Sequence, residues 1–595
     1  MVDRRAAQGG SNTDLLFWFI MAVVVAVLLG CAWFGFVTGS AIAGVNAAEI
    51  AAGPAKVIGG LVRHTVVWPV PATVMIVVYL AVAIAVAIAV PAMVSRARKG
   101  RHSRVDSAAR LMGTGRDIEA LTRKHAAAEA ARFGVEGSPG LPLGVTVAGG
   151  VPLASSWENV MLLLAGPRAA KTTCYVIPQI LEAPGACVAT SNKRDLVDAS
   201  RDVRAKLGTA WVFDPQQIAE EPADWYWNPL SYVTDEVQAA QLAQHFASGS
   251  RDPGAKTDSY FDPAGQDLLA GLLLAAAMDT RPITDVYTWL TQPTNTEPAR
   301  ILKDAGFPLT SQQVAGVIAL PDKQRGGIYG TAQQMAACLT NRKIAEWIIP
   351  SPGRREFHPE LFVRSTDTLY SLSREGRGSA GPIITALTVA IVEAAESLAA
   401  RSPRGRLTVP LVLVLDEAAN VCRWKDLPDL YSHYGSKGIC VVTVLQSWSQ
   451  GVDVWGQSGM NKLWSAANVK AYAGSIYERD FLETLSMLIG DFDRVSHSVS
   501  SSRGGGSRST NFQRERILTV DELSALPKGR AVILGSGSRA TLARTVPWMR
   551  GPHAAAVEAS IRAHDPQSAR TLEDARSELS EIEAPATGVD EKVAA

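Results

Sequence analysis

Two short stretches hold the residue types that handle a nucleoside triphosphate. In the first, the apolar run 160–165 leads into Gly166-Pro167-Arg168-Ala169-Ala170-Lys171-Thr172-Thr173. A strand that ends in a tight turn and opens a helix aims backbone N–H groups at a β-phosphate, and the positive end of the helix dipole reinforces them. In that geometry Lys171 reaches the β- and γ-phosphates, the Thr172 hydroxyl is a magnesium ligand, and Thr173 begins the helix proper. Residues Gly166 to Thr173 are therefore the expected nucleotide-binding set. The usual pattern has Gly six residues before the lysine and Gly directly before it. Here those positions are Ala165 and Ala170, and Gly166 sits five before. If position 170 needs a positive φ, the alanine methyl costs about 1–2 kcal/mol. The alternative is an ordinary strand–turn–helix with a solvated lysine.

The second stretch is Leu411-Val412-Leu413-Val414-Leu415-Asp416-Glu417. It puts two carboxylates at the end of a buried strand. Asp416 suits magnesium, bound through water, and Glu417 suits a general base that polarises the attacking water. A helix-capping Asp with a solvated Glu is the alternative. The following apolar run, 439–445, ends in Gln446, an amide able to sense the γ-phosphate or the attacking water. Three apt groups at the ends of three apolar runs are expected to converge at the carboxyl edge of a parallel sheet, where α/β folds bind ligands. ATP with Mg2+ is then the expected ligand, and Lys171, Glu417 and Gln446 are the expected catalytic groups.

The elements that must position these groups follow from patterning. Strands are expected at 160–165, 186–190, 209–213, 409–415, 439–445, 468–473 and 531–534, the near-continuous apolar ones as buried parallel strands. Alternation with helical patterns makes the fold class α/β. The interval 235–345, rich in Ala, Gln and Leu, reads as an all-helical insertion. Residues 104–133, Ala-rich, charged and without Pro, read as one juxtamembrane helix. Gly and Pro in 137–156 point to short strands or turns. Beyond Pro552 the composition turns Ala-, Ser- and Glu-rich, which reads as a mobile, mildly acidic tail.

Composition bounds the rest. A chain of 595 residues exceeds one ordinary domain. A net charge of +1 excludes a global basic field for nucleic acid, so such contacts must be local. The six cysteines are scattered without a CxxC pair, which speaks against zinc or a disulfide framework and for a reducing compartment. Residues 15–37 and 66–90 carry no charge, and each exceeds the roughly 20 residues that cross a bilayer core. Arg4 and Arg5 precede the first, and Arg96, Arg98, Lys99, Arg101 and Arg104 follow the second. Both ends are then expected in the cytoplasm, with a short external loop between the spans. A cleaved signal peptide ending near Ala41-Ile42-Ala43 is the alternative for the first run, whose apolar stretch is longer than a signal peptide needs. No ionisable residue lies mid-span, so the spans read as an anchor rather than a transport path.

Further local motifs carry a resemblance. They are Thr190-Ser191-Asn192-Lys193-Arg194-Asp195-Leu196-Val197; Phe213-Asp214-Pro215 with Trp227-Asn228-Pro229-Leu230; and Leu445-Gln446-Ser447-Trp448-Ser449-Gln450 with Trp455-Gly456. The last is Arg514-Glu515-Arg516-Ile517-Leu518-Thr519 with Asp521-Glu522-Leu523 and Leu526-Pro527. With the nucleotide motifs, the chain from about 141 to 549 resembles the membrane-anchored coupling ATPases of type IV secretion and bacterial conjugation, the TraG/TraD-like proteins. The resemblance implies a RecA-like P-loop NTPase domain with an inserted all-α domain, preceded by two transmembrane helices. The corresponding plan is an anchor at 1–103, a juxtamembrane helix and linker at 104–158, a nucleotide domain at 159–234 and 346–550, an insertion at 235–345 and a tail at 551–595. It also implies a homo-hexamer on the inner face of the bacterial plasma membrane. Single-stranded DNA bound to its relaxase would pass to secretion-channel proteins. ATP would lie between subunits, with an arginine supplied in trans; Arg374 and Arg377 are the candidates, a solvated surface loop being the alternative.

The Arg/Gly segment 496–510 reads as a mobile surface loop or a contact to a DNA backbone. Trp448, Trp455 and Trp464 read as core packing rather than base stacking. Two other functions stay open. One is a duplex-DNA pump of the cell-division type, against which the short acidic C-terminal segment argues. The other is a non-hydrolysing membrane receptor that recruits secretion substrates, which Ala170 keeps in view.

Overall fold

Strands that are apolar throughout must be covered on both faces, and this rule organises the body of the molecule. The computed structural model describes residues 10–51, 53–99, 103–250, 258–376, 378–502 and 505–583. The described residues divide into two compact units, one within 10–99 and the other within 103–583.

In the first unit, helices Gly10–Ala43 and Val70–Lys99 pack on each other, with short helices Ala47–Ala51 and Pro54–Val62 between them. The approach is close because small residues line it: a Cβ on Gly39 would lie 2.2 Å from the Ala72 Cα, and one on Gly35 would lie 2.4 Å from the Ile76 Cγ1. Asn46 ties the connection, donating to the Val67 carbonyl at 2.7 Å and accepting from its N–H at 3.3 Å. Windows Val25–Ala43 and Val70–Ala87 are long and apolar enough to cross a membrane. A third such helix, Gly381–Ala400, is mostly buried inside the second unit and is a core helix there.

The strands, in chain order, are β1 (Leu141–Thr146), β2 (Pro152–Ser155), β3 (Met161–Leu164), β4 (Cys187–Ser191), β5 (Ala210–Phe213), β6 (Trp225–Tyr226), β7 (Arg355–Glu356), β8 (Thr368–Leu372), β9 (Leu411–Leu415), β10 (Ile439–Leu445), β11 (Val469–Tyr472), β12 (Asp491–Ser502), β13 (Gly505–Arg516), β14 (Arg530–Gly535) and β15 (Thr541–Arg544). Eleven of them form one sheet in the order β2-β1-β15-β14-β11-β3-β10-β9-β4-β8-β5. From β11 to β5 every pairing is parallel, and β3, β4, β9 and β10 are buried at every position. The remaining pairings, β11–β14, β14–β15, β15–β1 and β1–β2, are antiparallel. All seven expected strands are present, but that at 531–534 runs antiparallel to its neighbours. β8 (Thr-Leu-Tyr-Ser-Leu) has no counterpart among the expected strands, since its two polar residues interrupt the apolar run although every position is buried.

Among the described residues, seven α-helices, from Glu236–Ser250 to Arg342–Ile348, lie between β6 and β7. Those two short strands pair in parallel, so the helical excursion leaves and returns at one point. Rings of Trp211, Phe213, Trp225, Trp347 and Phe357 pack edge-to-face around that point. Trp227-Asn228-Pro229-Leu230 serves the same junction: Trp227 is fully buried, and the Asn228 side chain caps the turn by accepting from the Leu230 N–H at 3.1 Å.

Three expectations are corrected. Residues 104–133 are not one helix: Arg104–Ala108 and Arg123–Phe133 are separated by two 3-10 segments, and Gly115 takes φ +56 at the break. The segment packs on the body through a buried bidentate pair, Asp106 with Arg530, at 2.6 and 2.8 Å. The C-terminal region is not a mobile tail through residue 583: it forms helices Ala554–His564 and Ser568–Glu583, with Val557, Ile561, Leu572 and Ile582 buried. Residues 584–595 of that tail lie outside the described residues. Residues 496–502 and 505–510 are not an irregular loop: β12 and β13 pair antiparallel at twelve positions, from Asp491–Arg516 to Ser502–Gly505, while Arg503 and Gly504 lie outside the described residues.

Candidate active site

Parallel pairing brings the ends of β3, β10 and β9 side by side at one edge. Leu164 is level with Leu445, and Thr443 with Leu415, so the residues that follow emerge next to one another. β10 lies between the other two strands, which sets Gln446 between the phosphate-type loop and the carboxylate pair.

The loop after β3 is held on both sides. The Ala165 N–H donates to the Leu445 carbonyl and the Gly166 N–H to the Gly474 carbonyl, each at 3.0 Å. A Cβ on residue 166 would lie 1.9 Å from the Ser475 carbonyl oxygen, so only glycine fits. Pro167 and Arg168 are exposed, whereas Ala169 and Ala170 are buried. Arg168 has φ +62 and Ala170 φ +59. Ala170 thus occupies the left-handed conformation in which a methyl costs about 1–2 kcal/mol. Lys171 opens a helix whose first turn, Thr172–Val176, is π-helical, a form that recurs at functional sites.

The Lys171 ammonium pairs with the Glu417 Oε1 and lies 3.6 Å from the Asp416 Oδ1. The same Glu417 oxygen accepts from the Gln446 Nε2 at 2.5 Å. Lys171, Asp416, Glu417 and Gln446 therefore form one contact group. Glu417 has φ +54 and starts the short helix Ala418–Val421. Its second oxygen, Oε2, accepts from the Asn420 Nδ2 at 3.4 Å.

Asp416 is 3% exposed. Burial raises its carboxyl to about 7, against the lowering effect of the Lys171 ammonium. Its backbone carbonyl accepts from the Thr190 hydroxyl at 2.8 Å, but its buried Oδ1 has no hydrogen-bond partner. An orphaned carboxylate oxygen of this kind suits the water of a hydrated magnesium ion, and Thr172 is half-buried one residue past Lys171. The residues present therefore fit that ion.

Thr173 has another partner: its hydroxyl donates to the Glu578 Oε2 at 2.6 Å, on helix Ser568–Glu583. Arg374 is exposed on the loop after β8, and its N–H donates to the Gln216 Oε1 at 2.7 Å. Arg377 lies outside the described residues. Trp448 and Trp464 pack with Phe481, and the Trp455 indole donates to the Trp424 carbonyl, so all three half-buried tryptophans pack against the core. The five described cysteines of the body are buried thiols, and all six in the chain are free.

Three polar residues join this edge that the residue patterns did not single out: Asn192 after β4, Glu375 after β8 and Asn420 after β9. Asn420 alone had a readable signal, standing three positions beyond Glu417 on a helical turn.

Residues 410–528 match a family model described as the TraM recognition site of TraD and TraG. The solved structure of the bacterial conjugative coupling protein TrwBdeltaN70, in its unbound monoclinic form, superposes with a TM-score of 0.50 at 17% identity, covering 68% of this chain and 88% of that one. The plasmid coupling protein TrwB in complex with the non-hydrolysable GTP analogue GDPNP gives a TM-score of 0.50 at 18% identity, covering 70% and 92%. No curated protein sequence matches the chain. The α/β fold thus matches that of the solved TrwB structures, and the resemblance to TraG/TraD-like proteins stands.

Proposed function

From a chain that is TraG/TraD-like in residues 410–528 and shares its fold with TrwB, we propose a membrane-anchored ATPase that couples relaxase-bound single-stranded DNA to a type IV secretion channel. The observation that carries this reading is the contact group of Lys171, Asp416, Glu417 and Gln446 at the carboxyl edge of the parallel sheet.

The loop 166–173 cradles the phosphates of ATP with its backbone N–H groups. Lys171 neutralises the β- and γ-oxygens, which compete with Glu417 for the same ammonium. Thr172 and, through water, Asp416 would hold a magnesium ion, which would supply neutralisation of the charge that develops on the phosphoryl oxygens. Glu417, released from Lys171, accepts a proton from the attacking water, and Gln446 orients that water. Arg374 or Arg377 of a neighbouring subunit completes the site in a homo-hexameric ring. The nucleotide domain comprises 159–234 and 346–550, the all-α insertion 235–345, and helices within 1–103 anchor the chain in the bacterial plasma membrane with its bulk cytoplasmic. Steady-state ATP hydrolysis by the detergent-solubilised chain, with and without single-stranded DNA, tests the reading; DNA-stimulated turnover that Lys171→Ala abolishes is the expected result.

One observation favours a second reading. Ala170 carries a side chain at φ +59, where glycine is unstrained. A recruiting platform that binds ATP without turning it over would tolerate that strain. Nucleotide binding without hydrolysis, with turnover recovered in Ala170→Gly, would select it.

A further inference from the structure

Glu375 stands on an exposed loop, yet two amides from different strand ends converge on one of its oxygens. The Asn420 Nδ2 donates to the Glu375 Oε1 at 2.6 Å, and the Asn192 Nδ2 donates to the same atom at 3.3 Å. Asn420 also reaches back to the Glu417 Oε2 at 3.4 Å. One amide group thus has a hydrogen for each of two carboxylates: one on the loop after β8, the other at the end of β9. The loop itself is anchored at its base. Gln216 accepts from the Ser373 hydroxyl at 3.0 Å and from the Arg374 N–H at 2.7 Å, and the Ser373 hydroxyl also accepts from the Ala380 N–H at 3.0 Å.

We propose that Asn420 is a positioning residue for ATP hydrolysis, and that Glu375 acts through it. The Asn420 amide holds the free oxygen of Glu417 and so sets the direction of the lone pairs that receive the water proton. Glu375 fixes that amide from the other side. A shift of the loop carrying Arg374 is thereby passed to the water-activating carboxylate along two hydrogen bonds, without touching the phosphate loop. An amide-to-carboxylate hydrogen bond is charge-assisted and the stronger when short, as the 2.6 Å contact of Asn420 to Glu375 is; the 3.4 Å contact to Glu417 is the longer arm. The inference rests on the ATPase reading above.

The test is a double-mutant cycle in the full chain, using Asn420→Ala, Glu375→Ala and the pair. Its readouts are kcat and KM for ATP, ADP affinity by calorimetry and the melting temperature. Asn420→Ala is expected to lower kcat about tenfold while KM and ADP affinity stay within about twofold. Glu375→Ala is expected to lower kcat less, and the pair to match Asn420→Ala alone, because Asn420 is the residue that bridges Glu375 to Glu417. An unchanged kcat in Asn420→Ala, additive losses in the pair, or a parallel loss of ADP affinity would each overturn the inference. Should Asn420→Ala lower the melting temperature, Asn420→Ser replaces it with the same expectations. A parent without turnover would refute the ATPase reading, and this inference with it. A parent with turnover and an unaffected Asn420→Ala would refute this inference alone.

Discussion

Position 166 admits no side chain, while position 170 carries one in a strained conformation. The first follows from geometry, since a methyl at 166 would sit 1.9 Å from the Ser475 carbonyl oxygen. Gly166→Ala must push the loop away from β11 and is expected to weaken ADP binding more than about tenfold, measured by calorimetry, with the fold retained. The second follows from φ +59 at Ala170. Ala170→Gly relieves about 1–2 kcal/mol of strain, less the added entropy of the unfolded chain, and is expected to raise the melting temperature of the body. Asp416 carries the pH dependence. Its carboxyl, raised to about 7 by burial, keeps a proton in the folded chain that the unfolded chain releases at about pH 4. This group therefore favours folding most below about pH 4, and that contribution is lost as pH rises to about 7. Asp416→Asn is expected to flatten this part of the pH–melting profile. Magnesium-dependent ATP affinity runs the other way and is expected to increase through about pH 7, as the carboxylate ionises. Lys171, Asp416, Glu417 and Gln446 were legible in the sequence because each follows an apolar run, and parallel pairing places the ends of those runs together. Glu375 and Asn192 were not, because their role depends on which strand ends become neighbours, and spacing along the chain does not encode that.

At the scale of elements, the parallel core was readable because strands covered on both faces are written as uninterrupted apolar runs. β8 is hidden for the converse reason: Thr368 and Ser371 are buried polar residues inside a central strand. Composition misled at the C-terminal end. Ala, Ser and Glu dominate after Pro552, but Val557 and Ile561 stand four apart and share one helical face, and both are buried. Helix Ser568–Glu583 is held further by Lys528 with Glu578 and Glu581, at 3.0 and 2.9 Å, and by Arg550 with Glu583 at 2.6 Å. Lys528 and Glu578 are half-buried and the other three groups exposed, so solvent screening leaves these pairs weak and the buried apolar residues dominate the attachment. Backbone amides in 554–583 are expected to exchange slowly with deuterium. Ile561→Ala is expected to destabilise the body by about 2–4 kcal/mol and to release that protection. Rapid exchange throughout this segment in the parent would contradict the packed arrangement. Residues 104–133 failed as a single helix because Gly113 and Gly115 interrupt an otherwise helical composition, and a Cβ on Gly113 would lie 2.8 Å from the Arg539 carbonyl.

For the whole molecule, a net charge of +1 leaves no long-range pull on nucleic acid, so any strand of DNA must be gripped locally. The windows Val25–Ala43 and Val70–Ala87 are long and apolar enough to cross a bilayer, and the proposed function places them there. The full chain is therefore expected to sediment with membranes and to be released by detergent but not by high salt; release by salt alone would contradict an integral anchor. The sheet order that unites β3, β10 and β9 brings together the groups proposed for ATP hydrolysis. The most direct test of that proposal is steady-state ATP turnover by the detergent-solubilised chain, with and without single-stranded DNA, beside Lys171→Ala and Glu417→Gln. DNA-stimulated turnover in the parent is expected, with Lys171→Ala losing nucleotide binding and Glu417→Gln keeping binding but losing turnover. Equal turnover in Glu417→Gln and the parent, or no ATP binding by a folded parent, would contradict it.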